Sequence, residues 1–339
     1  MGRLIARLVA IYPEYSSDPS AWPLCSRLTP HLLALRELGK DTSRFTSWSD
    51  LLGRVGSYFQ GRGAYSQALP LLVEEVALTA KAYGPHDLIT ASSQNTLASL
   101  LMELGDLAGA RELAERSLKT LEKKLGPNHW LTARTLCTLG NLLDAQGDIA
   151  KARALYAQAV EIFEKREGPE DNLRTADALS RLAGAHYKQA NFAVAKTLFE
   201  RALSIYEKAL GPDHTYTVMV LSNLGGILAQ EGKLAEAQPL LERALVVTEN
   251  TLGSEHPTTN EMRANSARLL LRMGRPTEAL AFAQTALAAQ SKLLGSDHSS
   301  TKYTVQVTAA ALDALGRTED AKALRGRYGL TRSDDPKPS

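Results

Sequence analysis

The sequence predicts an all-α fold, an α-solenoid of tandem helical hairpins, and three observations carry that reading. Glycine recurs at positions 84, 126, 168, 211, 253 and 295, in steps of 42, 42, 43, 42 and 42 residues. A second ladder, Gly63, Gly105, Gly147, Ala190, Gly232, Gly274 and Gly316, keeps the same steps half a period away. Between the ladders apolar residues fall at the three-and-four spacing of an amphipathic helix. A fixed period of this length marks a repeat array, in which each unit buries its apolar face only against its neighbours.

Taken from the amino terminus, residues 1–47 do not repeat cleanly. Leu4 to Ile11 reads as one short helix and Trp22 to Leu38 as another, separated by the turn-rich stretch from Pro13 to Pro19. Together they are expected to form a degenerate hairpin that caps the array. Residues 48–328 then hold about seven hairpins of 42 residues, the last cut short at Thr318 to Tyr328. In each, a first helix such as Thr217 to Gln230 stops at a glycine suited to a left-handed cap, and a second, such as Leu234 to Leu252, closes on Leu-Gly. Pro70 and Pro239 fall in first turns of second helices, where the missing N–H costs little. The one extra residue lies in Gly168 to Thr175, read as a loop in which no helix register is disturbed. Residues 329–339 are polar and proline-containing, and are expected to form a disordered tail.

Two columns of small residues run through the units. Ala68, Ala110, Ala152, Ala195, Ala237, Ala279 and Ala321 share one slot of the second helix; Gly56, Ala98, Gly140, Ala183, Gly225, Ala267 and Ala309 share one slot of the first. Tight helix crossings demand this, because a larger side chain would force the two helices apart.

Leu139-Gly140, Leu143, Gly147, Ala152, Tyr156 and Ala159 resemble the tetratricopeptide signature, and the lengthened second helix ending in Leu-Gly-x-Asp-His resembles the kinesin-light-chain subtype. The resemblance spans roughly residues 48–328 and implies a right-handed superhelix that binds proteins or peptides. Trp22-Pro23-Leu24-Cys25-Ser26-Arg27-Leu28-Thr29-Pro30-His31 is similar to the junction that follows the nucleotide-binding module in NB-ARC/tetratricopeptide proteins, the STAND signalling ATPases. It implies the sensor half of such a protein, although the chain has no Gly-x-x-x-x-Gly-Lys-Ser/Thr phosphate loop.

Composition narrows the function classes. Apolar residues at 44% and charged residues at 22% fit a folded, water-exposed chain, and 39 basic against 37 acidic residues leave +2, too balanced for a partner such as nucleic acid or anionic lipid. No apolar run reaches membrane-spanning length, and Arg7 interrupts the most apolar stretch near the start. Cys25 and Cys137 lie far apart without metal spacing, so a reducing compartment, the cytoplasm, is expected.

Catalytic, cofactor and metal sites are expected to be absent. His129, His214, His256 and His298 share one slot where each begins a helix, a capping position rather than a ligand cluster. Cys137 sits among Leu136 and Leu139 and reads as a small packing residue, and no His-Glu-x-x-His, Cys-x-x-Cys or Gly-x-Ser-x-Gly occurs.

The binding surface is expected on the first helices. Counted from the residue fifteen before each turn position, offsets 5, 6, 9 and 13 share a helical face. They carry Arg54 and Ser57; Asn95, Thr96, Ser99 and Glu103; Thr138 and Asn141; Ser180, Arg181 and Lys188; Ser222, Asn223 and Gln230; and Asn265, Arg268 and Arg272. Asparagine offers both donor and acceptor, which suits clamping the backbone of an extended peptide. In the kinesin-light-chain type, asparagines at offset 6 play this part; Asn223 and Asn265 match that slot, whereas Thr138 and Arg181 depart from it. Arg54, Arg181, Lys188, Arg268 and Arg272 outnumber Glu103, so the expected partner is a protein or peptide with acidic residues. A free-standing adaptor and an enzyme with an unrecognised site are the alternatives.

Overall fold

The computed structural model describes residues 2–38, 46–166 and 168–332, and among them it contains helices and turns but no strand. Residues 333–339 of the expected tail lie outside the described residues. The chain divides into two compact units, residues 1–142 and 143–339.

The first unit contains α1 (Gly2–Ile11), α2 (Trp22–Leu38), α3 (Thr46–Gly61), α4 (Tyr65–Tyr83), α5 (Leu88–Glu103), α6 (Leu107–Leu125) and most of α7 (Trp130–Ala145). Ile5, Leu8 and Tyr12 from α1 and its end, Cys25 and Leu32 from α2, and Trp48, Leu51, Leu52 and Val55 from α3 form one buried cluster. Each such aliphatic side chain contributes about 1.5–3 kcal/mol by leaving water. The Tyr12 hydroxyl is paired with Thr29 Oγ1 at 3.0 Å, which satisfies a polar group inside that cluster.

The second unit contains α8 (Ile149–Glu164), α9 (Pro169–Lys188), α10 (Phe192–Leu210), α11 (Thr215–Gln230), α12 (Leu234–Leu252), α13 (Pro257–Arg272), α14 (Pro276–Leu293), α15 (Ser299–Ala314) and α16 (Thr318–Arg327). Here α11 lies against α9 and α13, and α13 against α15, so first helices share one face. At the carboxyl end Arg325 Nη2 donates to Asp313 Oδ2 at 2.7 Å, and both side chains are largely buried, which closes the last hairpin.

The small columns are the seams. All seven second-helix alanines, Ala68 through Ala321, are fully buried. A Cβ added at Gly56 would run into Leu72, and one at Gly225 into Leu241. Turn glycines take positive φ, and Ala190 alone among described non-glycine residues does so, at φ 60°. That conformation costs an L-residue about 1–2 kcal/mol.

Gly168 to Thr175 is not a loop. α9 starts at Pro169, directly after Gly168, and runs for 20 residues where the neighbouring first helix α11 has 16. Proline suits the first helical position, and Glu170 and Asp171 complement the positive end of the helix. The insertion is absorbed by extending a free helix end, while α8 stops early at Glu164.

Candidate functional site

The repeated histidines are helix caps. Nδ1 of His129, His214, His256 and His298 accepts from the backbone N–H two residues on, at 3.2 Å each. Asp87 does the same for α5 with its carboxylate, at 3.0 Å. Burial holds the His298 imidazole below its usual pKa, which favours the neutral form that the acceptor role needs. Among the described residues no group of three or more His, Cys, Asp or Glu side chains converges, and no helix is long and apolar enough to cross a membrane.

In the first unit the expected first-helix residues are largely enclosed. Arg54 chelates Asp50 through Nε (3.1 Å) and Nη2 (2.9 Å), while Nη1 donates to the carbonyls of Val9 (3.3 Å) and Tyr12 (3.0 Å). Its guanidinium therefore caps the carboxyl end of α1 instead of facing a partner. Asn95 is only 3% exposed, and its Oδ1 has no hydrogen-bond partner among the described residues. Thr138 is 5% exposed and donates to the Arg134 carbonyl at 3.3 Å. Neither lines an open surface, which corrects the expectation for both. For Asn95 the reason is geometric: offset 5, which also holds Cys137, Ser222 and Ala264, points into the hairpin, whereas Thr138 stands at offset 6 and is covered with its hydroxyl turned back onto its own helix. Ser99 and Asn141 are half-buried, and Ser99 Oγ donates to the Asn95 carbonyl at 3.3 Å.

Facing α5 through Ser93 is an enclosed carboxyl on α4 that sequence reasoning missed. Glu75 accepts from Ser93 Oγ at 2.7 Å through Oε1, whereas Oε2 is buried without a partner among the described residues. Burial pushes its pKa up to about 7, against the pull of the Ser93 hydrogen bond; the charge of Asp50 adds to the rise and that of Arg134 opposes it.

The second unit is open. Asn223 is exposed on α11. Asn265 on α13 donates to Ser222 Oγ at 3.4 Å and accepts from the Tyr303 hydroxyl at 3.3 Å. Arg268 donates to the Tyr187 hydroxyl at 3.3 Å and lies 6.0 Å from the centre of the Tyr303 ring. Arg272 donates to Gln230 Oε1 at 3.2 Å, and Gln230 Nε2 donates to Tyr187 at 3.4 Å. A cavity of about 370 Å³ opens here, bordered by Gly184, Tyr187, Asn223, Gly226, Asn265, Arg268 and Tyr303. Burial raises the Tyr303 phenol, so it stays a neutral hydroxyl and a donor.

Two of the expected cations are already matched in this unit. Arg181 pairs with Asp177 at 2.9 Å, and Lys188 holds both oxygens of Asp144 at 2.7 Å. Asp50 and Asp177 occupy offset 2, one helical turn before offset 6, and Tyr303 stands in the same slot of the last first helix. The open face thus follows offsets 2, 6, 9 and 13, and extending the sequence pattern back by one turn finds Tyr303. Tyr187, at offset 12, lies outside that pattern and has no such signal, although it too borders the cavity.

A tetratricopeptide repeat family model matches residues 49–123, 89–165, 174–250, 216–275 and 258–324. Among proteins of curated function none matches the sequence. Among solved structures, the chain is 26% identical to nearly identical TPR-like repeats of a putative kinesin light chain from Podosopora anserina, covering 59% of this chain and 95% of that one with a TM-score of 0.44. The apo quorum sensor NprR from B. thuringiensis is 15% identical, with a TM-score of 0.61 over 90% of this chain and 81% of its own. A Rap protein complexed with competence and sporulation factor is 12% identical, with a TM-score of 0.55 over 97% and 100%. At these identities the last two likenesses concern the fold alone.

Proposed function

The chain belongs to the tetratricopeptide repeat family, a scaffold fold suited to protein binding, and we propose that its first-helix face in the second unit holds an extended segment of a partner protein or peptide. The observation that carries this reading is the cavity of about 370 Å³, flanked by an exposed Asn223 and by Asn265, whose amide is engaged only through long contacts of 3.3 and 3.4 Å. Two asparagines one helical pair apart present paired donors and acceptors to a peptide backbone, an arrangement indifferent to the side chains of the bound segment. A chain of this fold, the Rap protein, is solved with competence and sporulation factor bound, which supports the same use of the fold.

The acidic character expected of the partner rests on fewer groups than the sequence offered. Arg54, Arg181 and Lys188 each face an aspartate of this chain, and Arg272 faces Gln230, which leaves Arg268 as the cation beside the cavity. A finer version of the proposal makes the chain the sensing half of a STAND-type ATPase in the cytoplasm. It is supported by the resemblance of Trp22 to His31, and a P-loop module encoded upstream in frame tests it.

The test of the main reading is selection of a random dodecapeptide display library on the purified protein, repeated with the Asn223→Ala/Asn265→Ala double variant. Enriched peptides are expected, with affinity reduced about tenfold or more in the variant, since two backbone hydrogen bonds at about 1 kcal/mol each are removed. Absence of enrichment, or equal affinity for both proteins, overturns it.

A further inference from the structure

We propose that Tyr187 is a positioning residue, a strap across the second unit's binding face: through Arg268 it ties first helices two repeats apart, and so fixes the spacing of Asn223 and Asn265 before any partner arrives. The role rests on the reading of that face as a binding track.

A stack of hairpins is held by contacts between neighbours, and each member opens with little reference to units further along. Helices α9 and α13 are not neighbours, because α11 lies between them. Packed helix axes stand about 8–10 Å apart, so only the longest side chains can meet across an intervening helix. Tyr187 and Arg268 do so: Arg268 Nη2 donates to the Tyr187 hydroxyl at 3.3 Å, between residues 81 apart in the chain. The pair crosses α11 at Gly226, where an added Cβ would stand 3.6 Å from the Arg268 nitrogen and 3.8 Å from the phenol oxygen. The strap therefore passes directly over the backbone of α11.

Both ends are anchored. The Tyr187 ring packs edge-on against Phe192 at the start of α10, with centroids 5.4 Å apart, and its hydroxyl also accepts from Gln230 Nε2 of α11 at 3.4 Å. Gln230 Oε1 accepts in turn from Arg272 Nη1 of α13 at 3.2 Å. Arg268 lies over the ring of Tyr303 on α15, whose hydroxyl donates to Asn265 Oδ1 at 3.3 Å. Side chains already held by neighbours lose little rotamer freedom in making the crossing, which makes the link a brace.

The two asparagines of the track stand on α11 and α13, the helices that the brace joins to α9. A partner backbone that spans Asn223 and Asn265 needs their separation to match its own spacing. Fixing that separation in the free protein removes an ordering cost that binding would otherwise meet.

The experiment is a double-mutant cycle on the full chain, with Tyr187→Phe, Arg268→Met and both together. Arg268→Met also removes the cation that shares the cavity with Glu261, so the coupling between the two substitutions is the quantity read. Tyr187→Phe keeps the ring beside Phe192 and deletes only the hydroxyl. In hydrogen exchange it is expected to speed amides of α13 as well as of α9 by about fivefold or more, and by no more than about twofold once Arg268 is replaced. A speed-up confined to α9 through α11, or the same speed-up in both backgrounds, overturns the strap. Library peptides that depend on Asn223 and Asn265 are expected to bind Tyr187→Phe about fivefold or more weakly, with no further loss in the Arg268→Met background. A loss that persists in that background means the hydroxyl meets the peptide itself, and overturns the positioning role. Peptides indifferent to Tyr187→Phe overturn that role and leave the track. Coupled exchange without any library binding overturns the track and leaves the strap as a brace of the array.

Discussion

Glu75 in the first unit and Arg268 in the second are both drawn largely out of water, and the two are handled in opposite ways. In the first unit Glu75 is shut in beneath α5, with one oxygen on Ser93 and the other unpaired among the described residues. In the second, Arg268 stands beside an open cavity between two tyrosines. A carboxyl can take up a proton and become neutral, so its enclosure is tolerable. A guanidinium has no such exit and keeps its charge, here beside two tyrosines and a cavity that Glu261 also lines. Polar residues of this array therefore end enclosed in one place, at Asn95, and exposed in another, at Asn223, according to what stands opposite.

Glu75 offers the largest test of that contrast. Its folded pKa of about 7 lies above the ordinary value of 4.5, so its contribution to stability is complete below the ordinary value and is lost as pH rises through about 7. Thermal melts at about pH 5 and about pH 8 are expected to show wild type losing about 2–3 kcal/mol between them through this group, and Glu75→Gln, fixed in the neutral form, escaping that loss. An unchanged pH slope in the variant would break the comparison at its first term.

Adjacent glycines sharpen the second term. Gly225→Ala pushes a methyl into Leu241 and toward the Ala237 carbonyl, and is expected to destabilise by about 1–2 kcal/mol in chemical denaturation. Gly226→Ala, one residue on, points at the cavity and is expected to stabilise by about 0.5–1 kcal/mol. If both substitutions destabilise alike, the cavity wall is packing and not an access route.

The smallest effect concerns the turns. Those of the first unit use Gly63 and Gly105 at φ 70° and 81°, whereas the first turn of the α9/α10 hairpin uses Ala190 at φ 60°. Ala190→Gly is expected to raise stability by about 1 kcal/mol, because glycine adopts this conformation without steric conflict. A neutral or destabilising result in the same denaturation series would show that the surroundings of Ala190 repay its strain.

By itself the sequence determined the hairpin architecture, the seams and the caps, because these depend on local rules. A turn needs a residue tolerant of positive φ, a tight crossing needs Ala68 or Gly225 whatever the partner helix carries, and His214 caps its own helix two residues away. What it left open was the assignment of polar first-helix residues to inside or outside. Asn95 and Asn223 differ by one helical position, about a hundred degrees of rotation, and that rotation buries one and exposes the other. The pairing of Arg181 with Asp177 is legible as an i, i+4 spacing, but only folding placed Tyr187, from a hairpin two repeats away, across Gly226 from Arg268. Contacts between distant repeats leave no periodic trace in the chain, so tertiary structure alone decides which cation of a column of similar ones borders the cavity.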